Sequence, residues 1–151
     1  MSAVEKGNVN IRAMERRDIS PVLALFKKMG GARGTLTHRD LINWDLGGAL
    51  DLSFIAEMDG QIVGLLLGRF CFLGIPVAEV GVIQVMFVDP DYQRRHIGAK
   101  LVNAVLDRCY AEGVNTVRAY IDQRDWELKT FTENMGFRPS GLVEYINTIE
   151  V

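Results

Sequence analysis

Between residues 93 and 99 the chain reads Gln93-Arg94-Arg95-His96-Ile97-Gly98-Ala99, two guanidinium groups followed by a glycine where a helix opens. From there the apolar positions Ile97, Leu101, Val102, Val105, Leu106 and Cys109 recur three or four residues apart, and Gly113 supplies a stop. That spacing predicts a helix of roughly four turns. The first turn of a helix carries backbone N–H groups without intrahelical acceptors, and with them the positive end of the helix dipole. Beside Arg94 and Arg95, those groups can hold a diphosphate through main chain and charge together. Taken alone, the same turn also fits a solvated basic surface in which Gly98 only eases helix packing.

The elements that must position this turn are legible on both sides of it. Val82, Ile83, Val85, Met86, Phe87 and Val88 form an apolar run broken only by Gln84, as expected of a strand covered on both faces, and Asp89-Pro90-Asp91 ends it. Residues 114–121 predict another strand after the helix, giving a right-handed βαβ unit with parallel neighbouring strands. Ligands of such sheets sit beyond the carboxyl ends of the parallel strands, here near Phe87-Val88 and near Tyr120-Ile121-Asp122.

Upstream, residues 9–14 predict a first strand, and Ser20-Pro21 starts a helix that Gly30-Gly31 stops. Thr37 and Asp40 make a capping box for a short second helix running to Gly47-Gly48. Residues 52–58 and 61–70 form a hairpin about Asp59-Gly60, and residues 71–77 turn back into the central strand. Downstream, residues 125–134 predict a helix and residues 142–151 a last strand. Residues 9–151 thus read as one domain, with residues 1–8 a frayed lead-in.

Composition narrows the function classes. With 17 Lys+Arg against 19 Asp+Glu, the net charge of -2 provides no overall basic field for nucleic acid or an anionic membrane, so phosphate binding must be local. The longest apolar run, residues 62–67, is far short of the ~20 residues a membrane span needs, and residues 1–10 do not resemble a signal peptide. A cytoplasmic location is expected. Cys71 and Cys109, without CxxC or His-rich spacing, predict two buried thiols and neither a metal site nor a disulfide scaffold.

The segment from Phe87-Val88-Asp89-Pro90 through Gln93 to Gly98 resembles the cofactor-binding segment of the GNAT superfamily of N-acyltransferases. That family carries Q/R-x-x-G-x-G/A at the start of a helix following such a strand. The order β-α-α-β-β-β-α-β-α-β resembles the GNAT fold over essentially the whole chain. The implied fold class is α/β (α+β): a mixed, mostly antiparallel sheet with a βαβ cofactor-binding unit and helices on both faces. The resemblance implies acetyl-CoA as co-substrate and no metal. Main-chain N–H groups at Arg94, Arg95, His96, Ile97, Gly98 and Ala99 would wrap its pyrophosphate, and Met86, Phe87 and Val88 would pair with its pantetheine arm. His96 replaces the family's middle glycine, where backbone must approach most closely.

In the family an amine attacks the thioester directly, backbone N–H groups steady the oxyanion, and the thiolate leaves. At pH 7 about one lysine amine in a few thousand is neutral against roughly one α-amine in ten, so the help needed depends on the acceptor. The family's usual groups are replaced: its tyrosine falls on Thr132, its central-strand carboxylate on Gln84, which can orient a water, and its cofactor-contacting asparagine on Asp125. The base of the ribosomal-protein N-terminal acetyltransferases falls on Tyr120, which becomes the candidate acid. Glu79, Asp122 and Tyr145 stand in reserve. The acceptor implied is a small-molecule amine or a protein or peptide amine, with a homodimer left open. The rival from another class is a coenzyme A-binding module that senses without turnover.

Overall fold

Local chemistry sets most element boundaries. The computed structural model describes residues 8–29, 36–93 and 95–150. Strand β1 (Asn10–Ala13) leads through a 3-10 turn into helix α1 (Ile19–Lys28), and helix α2 (His38–Ile42) follows. The α2 capping box forms as expected, Thr37 Oγ1 accepting from the Asp40 N–H and the Asp40 carboxylate from the Thr37 N–H. Strands β2 (Phe54–Met58) and β3 (Gln61–Leu73) are joined by Asp59 and Gly60, whose φ angles of 51° and 77° suit a two-residue hairpin turn. Strand β4 (Ala78–Val88), helix α3 (Ile97–Ala111), strand β5 (Val117–Ala119) and helix α4 (Trp126–Asn134) complete the order.

The five strands lie in sequence order. The first four are antiparallel and β4 and β5 parallel, which is the mixed, mostly antiparallel sheet expected. Successive side chains of a strand point to opposite faces, so the triplet Leu65-Leu66-Leu67 is divided between two cores. On one face Leu66, Ala56 and Ile83 pack with Leu101, Val102, Val105 and Cys109 of α3. On the other, Leu65, Leu67, Ile55 and Phe87 pack with Val22, Leu25 and Phe26 of α1 and Leu41 of α2. Burying each such large aliphatic side chain contributes about 1.5–3 kcal/mol.

Several expectations are corrected. The last strand predicted for residues 142–151 does not form: residues 138–150 are exposed throughout, and no strand lies there among the described residues. Their alternating pattern suits a strand, but a strand also needs an edge to pair with, and this segment lies along none. The strand expected over residues 114–121 shortens to three residues for the same reason, its register with β4 ending at Ala119. The turn expected over 71–77 shrinks because β3 and β4 stay paired out to Leu73 and Ala78. Cys109 is buried as expected, whereas Cys71 is half-buried at the far end of the hairpin. Of the lead-in expected to fray over residues 1–8, residues 1–7 lie outside the described residues, as do the Gly30-Gly31 stop and Arg94.

One buried charge cluster pins β1 to the rest. The Asp18 carboxylate, 3% exposed, accepts from Arg12 Nη1 and Nη2 at 2.7 and 2.6 Å and from the Glu15 N–H at 2.8 Å, while Arg12 Nε donates to Glu57 on β2. Burial alone would raise the Asp18 pKa. The hydrogen bonds outweigh it and hold the pKa below its ordinary value. A lowered folded pKa contributes stability above the unfolded value of ~3.9 and loses it as pH falls through the folded value. Asp18→Asn is therefore expected to cost about 2 kcal/mol at pH 7 in urea denaturation. The gap from wild type should narrow as pH falls below the unfolded carboxyl value of ~3.9 and through the lowered folded value, where the native carboxyl protonates.

Candidate active site

The site begins with a fault in strand pairing. Leu67 pairs with Val85 and Gly68 with Ile83, so Gln84 has no opposite residue and forms a bulge in β4. A bulge re-aims its side chain and bends its strand. Gly68 is required across from it, since a Cβ there would stand 2.7 Å from the Leu52 carbonyl oxygen and 2.9 Å from that of Val82. On its other side β4 is paired with β5 only from Gly81 to Ile83. From Gln84 to Val88, the β5-facing backbone of β4 has no strand partner among the described residues.

The two strands part there, and a cleft of about 270 Å³ opens between them. Gln84 and Met86 line it from β4, Tyr120, Ile121 and Asp122 from the segment after β5, and Asp125, Leu128, Phe131 and Thr132 from α4. A more open hollow lies between α1 and the β2–β3 turn, but its charged lining of Arg12, Asp18 and Glu57 is already mutually paired. The cleft between β4 and β5 is the place with unpaired backbone and unspoken-for side chains.

At its mouth stands the amino end of α3. Its N-cap residue, His96, adopts a left-handed conformation with φ 59° and ψ 23° and makes no side-chain cap bond. The first-turn N–H groups of Ile97, Gly98 and Ala99 therefore have no intrahelical acceptor and face the chain entry. Arg95 is exposed at the same turn, its guanidinium 5.7 Å from the Tyr92 ring centre. Gly98 joins turn and cleft: a Cβ there would lie 3.4 Å from Phe131 and 3.9 Å from Met86, which is ordinary contact and leaves room for a methyl group.

The turn is held by a tie that no sequence pattern marks. Lys28, at the end of α1, places Nζ 2.8 Å from both Asp89 Oδ2 and Asp91 Oδ2. Asp89 is 4% exposed, and its other oxygen accepts from the Asp91 N–H. Burial pushes the Asp89 pKa up, but Lys28 and that N–H prevail and hold it below the usual range. The partners are 61 residues apart, so the only signal available was the Asp-Pro-Asp turn itself.

The other expected residues are sorted by geometry. Met86 and Val88 are half-buried on β4, Phe87 points into the α1 core, and Gln84 is exposed to the cleft. Tyr120 borders the cleft at 60% exposure. Asp125 caps α4, accepting from the Leu128 N–H at 3.1 Å while lining the cleft. The Thr132 hydroxyl donates to the Leu128 carbonyl at 2.7 Å. Asp122 accepts from the Arg124 side chain and from its backbone N–H, which lowers its pKa to about 2 and leaves it a poor base. Glu79 and Tyr145 are exposed and do not line the cleft.

A mostly antiparallel sheet whose parallel β4–β5 pair parts beside the amino end of a helix is the α/β arrangement of this chain. The chain belongs to the acetyltransferase (GNAT) family, whose model matches residues 20–137. It is 34% identical over 88 residues to a mycothiol acetyltransferase of Beutenbergia cavernae, a match covering 58% of this chain and 29% of the relative, so the chain spans under a third of that protein. Among solved structures, AAC(6')-Iy in complex with the bisubstrate analogue CoA-S-monomethyl-acetylneamine superposes with a TM-score of 0.81 at 18% identity, over 95% of this chain and 99% of that one. A ribosomal-protein-alanine N-acetyltransferase of Brucella melitensis gives 0.74 at 13% identity, over 94% and 100%. At those identities the structural likeness shows the fold, which is the one observed. No helix among the described residues is long and apolar enough to cross a membrane.

The left-handed His96 carries a backbone cost that glycine would not. His96→Gly should raise stability by about 1 kcal/mol, read as an increased urea midpoint at unchanged m-value.

Proposed function

We propose that this chain transfers an acetyl, or another short acyl group, from coenzyme A to a small-molecule amine. One observation carries the reading: β4 loses β5 at the Gln84 bulge, and the strand edge so exposed runs toward the uncapped first turn of α3. A pantetheine arm carries amide groups spaced to pair with a strand edge, and a pyrophosphate suits free helix N–H groups. In this reading Met86, Phe87 and Val88 offer backbone to the arm. Arg94, Arg95, His96, Ile97, Gly98 and Ala99 hold the pyrophosphate, and Asp125 borders the thioester end.

The reaction follows from what remains unpaired in the cleft. The neutral amine nitrogen attacks the thioester carbonyl carbon, the carbonyl oxygen gains negative charge, and a backbone N–H of β4 steadies it. The C–S bond then breaks. The thiolate takes a proton, and the new ammonium loses one to a water oriented by Gln84. With the Thr132 hydroxyl bonded to Leu128 and Asp122 held ionised by Arg124, Tyr120 is the group left to supply the thiolate's proton. The phenol O–H is a donor from which the leaving sulfur can accept.

Similarity to a mycothiol acetyltransferase supports a small acceptor in place of a protein amine. The reading places the enzyme in the cytoplasm, in keeping with two free thiols, and as a homodimer, which the apolar residues exposed beyond α4 support.

Two variants test the reading. Gly98→Ala fits sterically and removes a helical glycine, so it should stabilise the fold by about 1 kcal/mol. In calorimetry it should leave coenzyme A affinity unchanged, because the family pattern accepts glycine or alanine at this position and the methyl meets only Phe131 and Met86 at contact distance. A tenfold loss would move the ligand elsewhere. Tyr120→Phe should lower kcat about 100-fold with coenzyme A affinity unchanged, measured by thiol release over a panel of amines. Wild-type protein that binds acetyl-CoA and turns over none of them would be a binding module.

A further inference from the structure

Just before the Gln84 bulge the sheet carries two arginines without a carboxylate partner among the described residues. Val82 of β4 pairs with Arg69 of β3 on one side and with Arg118 of β5 on the other, and side chains set opposite one another share a face. Their chain neighbours Phe70, Ile83 and Val117 pack in the α3 core, so Arg69, Val82 and Arg118 stand on the opposite face. Val82, 5% exposed, lies between the two half-buried arginines.

Elsewhere in the fold the cations that reach the sheet are answered. Arg12 bonds Asp18 and Glu57, and Lys28 bonds Asp89 and Asp91. Arg69 Nη2 instead donates to the Trp44 carbonyl at 2.8 Å, with the guanidinium carbon 5.1 Å from the centre of the Trp44 ring. Asp51 faces Arg69 from its other side, but accepts from the Gly47 N–H at 2.8 Å and forms no ion pair with it. The Arg118 Nε is buried without a hydrogen-bond partner among the described residues, and its Nη2 lies 3.0 Å from where a Cβ on Gly74 would stand. Two guanidinium charges on one face, separated by an apolar side chain, repel each other. A carboxylate between them would accept charge-assisted hydrogen bonds from both.

The place of the row gives that carboxylate a role. Val102 of α3 with Leu128 and Phe131 of α4 wall the cleft on their own face of the sheet. A second substrate therefore comes to the split between β4 and β5 from the opposite face, which is the face of the two arginines. From Val82 to Gln84 is about 7 Å along the strand.

We propose that the acceptor amine carries a carboxylate, held by Arg69 and Arg118 while the amine reaches the thioester past Gln84. The proposal rests on the acyl-transfer reading above and names its substrate class. The amine and carboxylate of an α-amino acid share one carbon and cannot span that step. The acceptor is a terminal amine several bonds away from its carboxylate, as in an ω-amino acid.

The test compares three amines of matched length: ε-aminocaproate, its carboxamide, and cadaverine. Thiol release with acetyl-CoA should give the carboxylate a kcat/KM about tenfold or more above either of the others. Arg118→Met keeps an unbranched stem and removes the charge, and should abolish the preference by raising KM for ε-aminocaproate about tenfold. Coenzyme A affinity, measured by calorimetry, should be unchanged. An arginine with a merely structural role would lower the rate on all three amines alike. Equal rates on the three, a preference for cadaverine, or a preference that survives Arg118→Met overturns the proposal. If no amine turns over, calorimetry of ε-aminocaproate and its carboxamide against the coenzyme A-loaded protein decides. Tighter binding of the carboxylate upholds the subsite while the transfer reading fails, and equal binding overturns both.

Discussion

A parallel strand pair that stops after three residues governs this molecule. Gly81 to Ile83 hold Val117 to Ala119, and one residue later Gln84 has no partner on β3 and β5 has left the ladder. Backbone N–H and C=O groups inside a protein are almost always paired, so a strand with an open edge in the middle of a sheet needs either water or a ligand. The rest of the fold keeps that edge open. α3 packs beneath β2, β3 and β4 through Leu101, Val102 and Val105, while α4 leans on the amino end of α3 through Phe131 and Gly98. The cleft is thus walled on every side except the one where β5 would otherwise close it.

Charge is used sparingly around this opening. The chain is nearly neutral overall, and the turn before α3 brings together the first-turn amides of that helix, Arg95 against Tyr92, and a left-handed His96 that rotates the backbone into the helix. The carboxylates nearest that turn, Asp89 and Asp91, would oppose an anion, but Lys28 bonds both and offsets one of their two charges. The same ion pair ties α1 to the end of β4, so the core on the α1 face and the turn before α3 share one link. Of the carboxylates that line the cleft, Asp122 is held by Arg124 and Asp125 caps α4. What stays unpaired at the cleft is backbone, one amide side chain and one phenol.

Much of this was legible before any coordinates, and the reason is distance along the chain. The Thr37–Asp40 capping box, the Asp59-Gly60 hairpin turn and the 15-residue α3 each depend on partners within a few residues. Periodicity and turn chemistry report such contacts directly. The start of α3 belongs with them, since its apolar spacing begins at Ile97, where the helix does. The group of cleft residues was legible only through resemblance to a family, because Gln84, Tyr120 and Asp125 are brought together by three different elements.

The amino-acid sequence by itself determined the helices, the hairpin and the two-faced character of the sheet, because hydrogen-bonding propensity and apolar spacing act over short stretches. Only the tertiary structure decided where β4 and β5 separate, that Lys28 answers Asp89 across 61 residues, and that residues 142–150 lie along no strand of their own sheet. A segment can carry the pattern of a strand, but pairing belongs to two edges at once. Whether an edge is there is settled by the packing of everything in between.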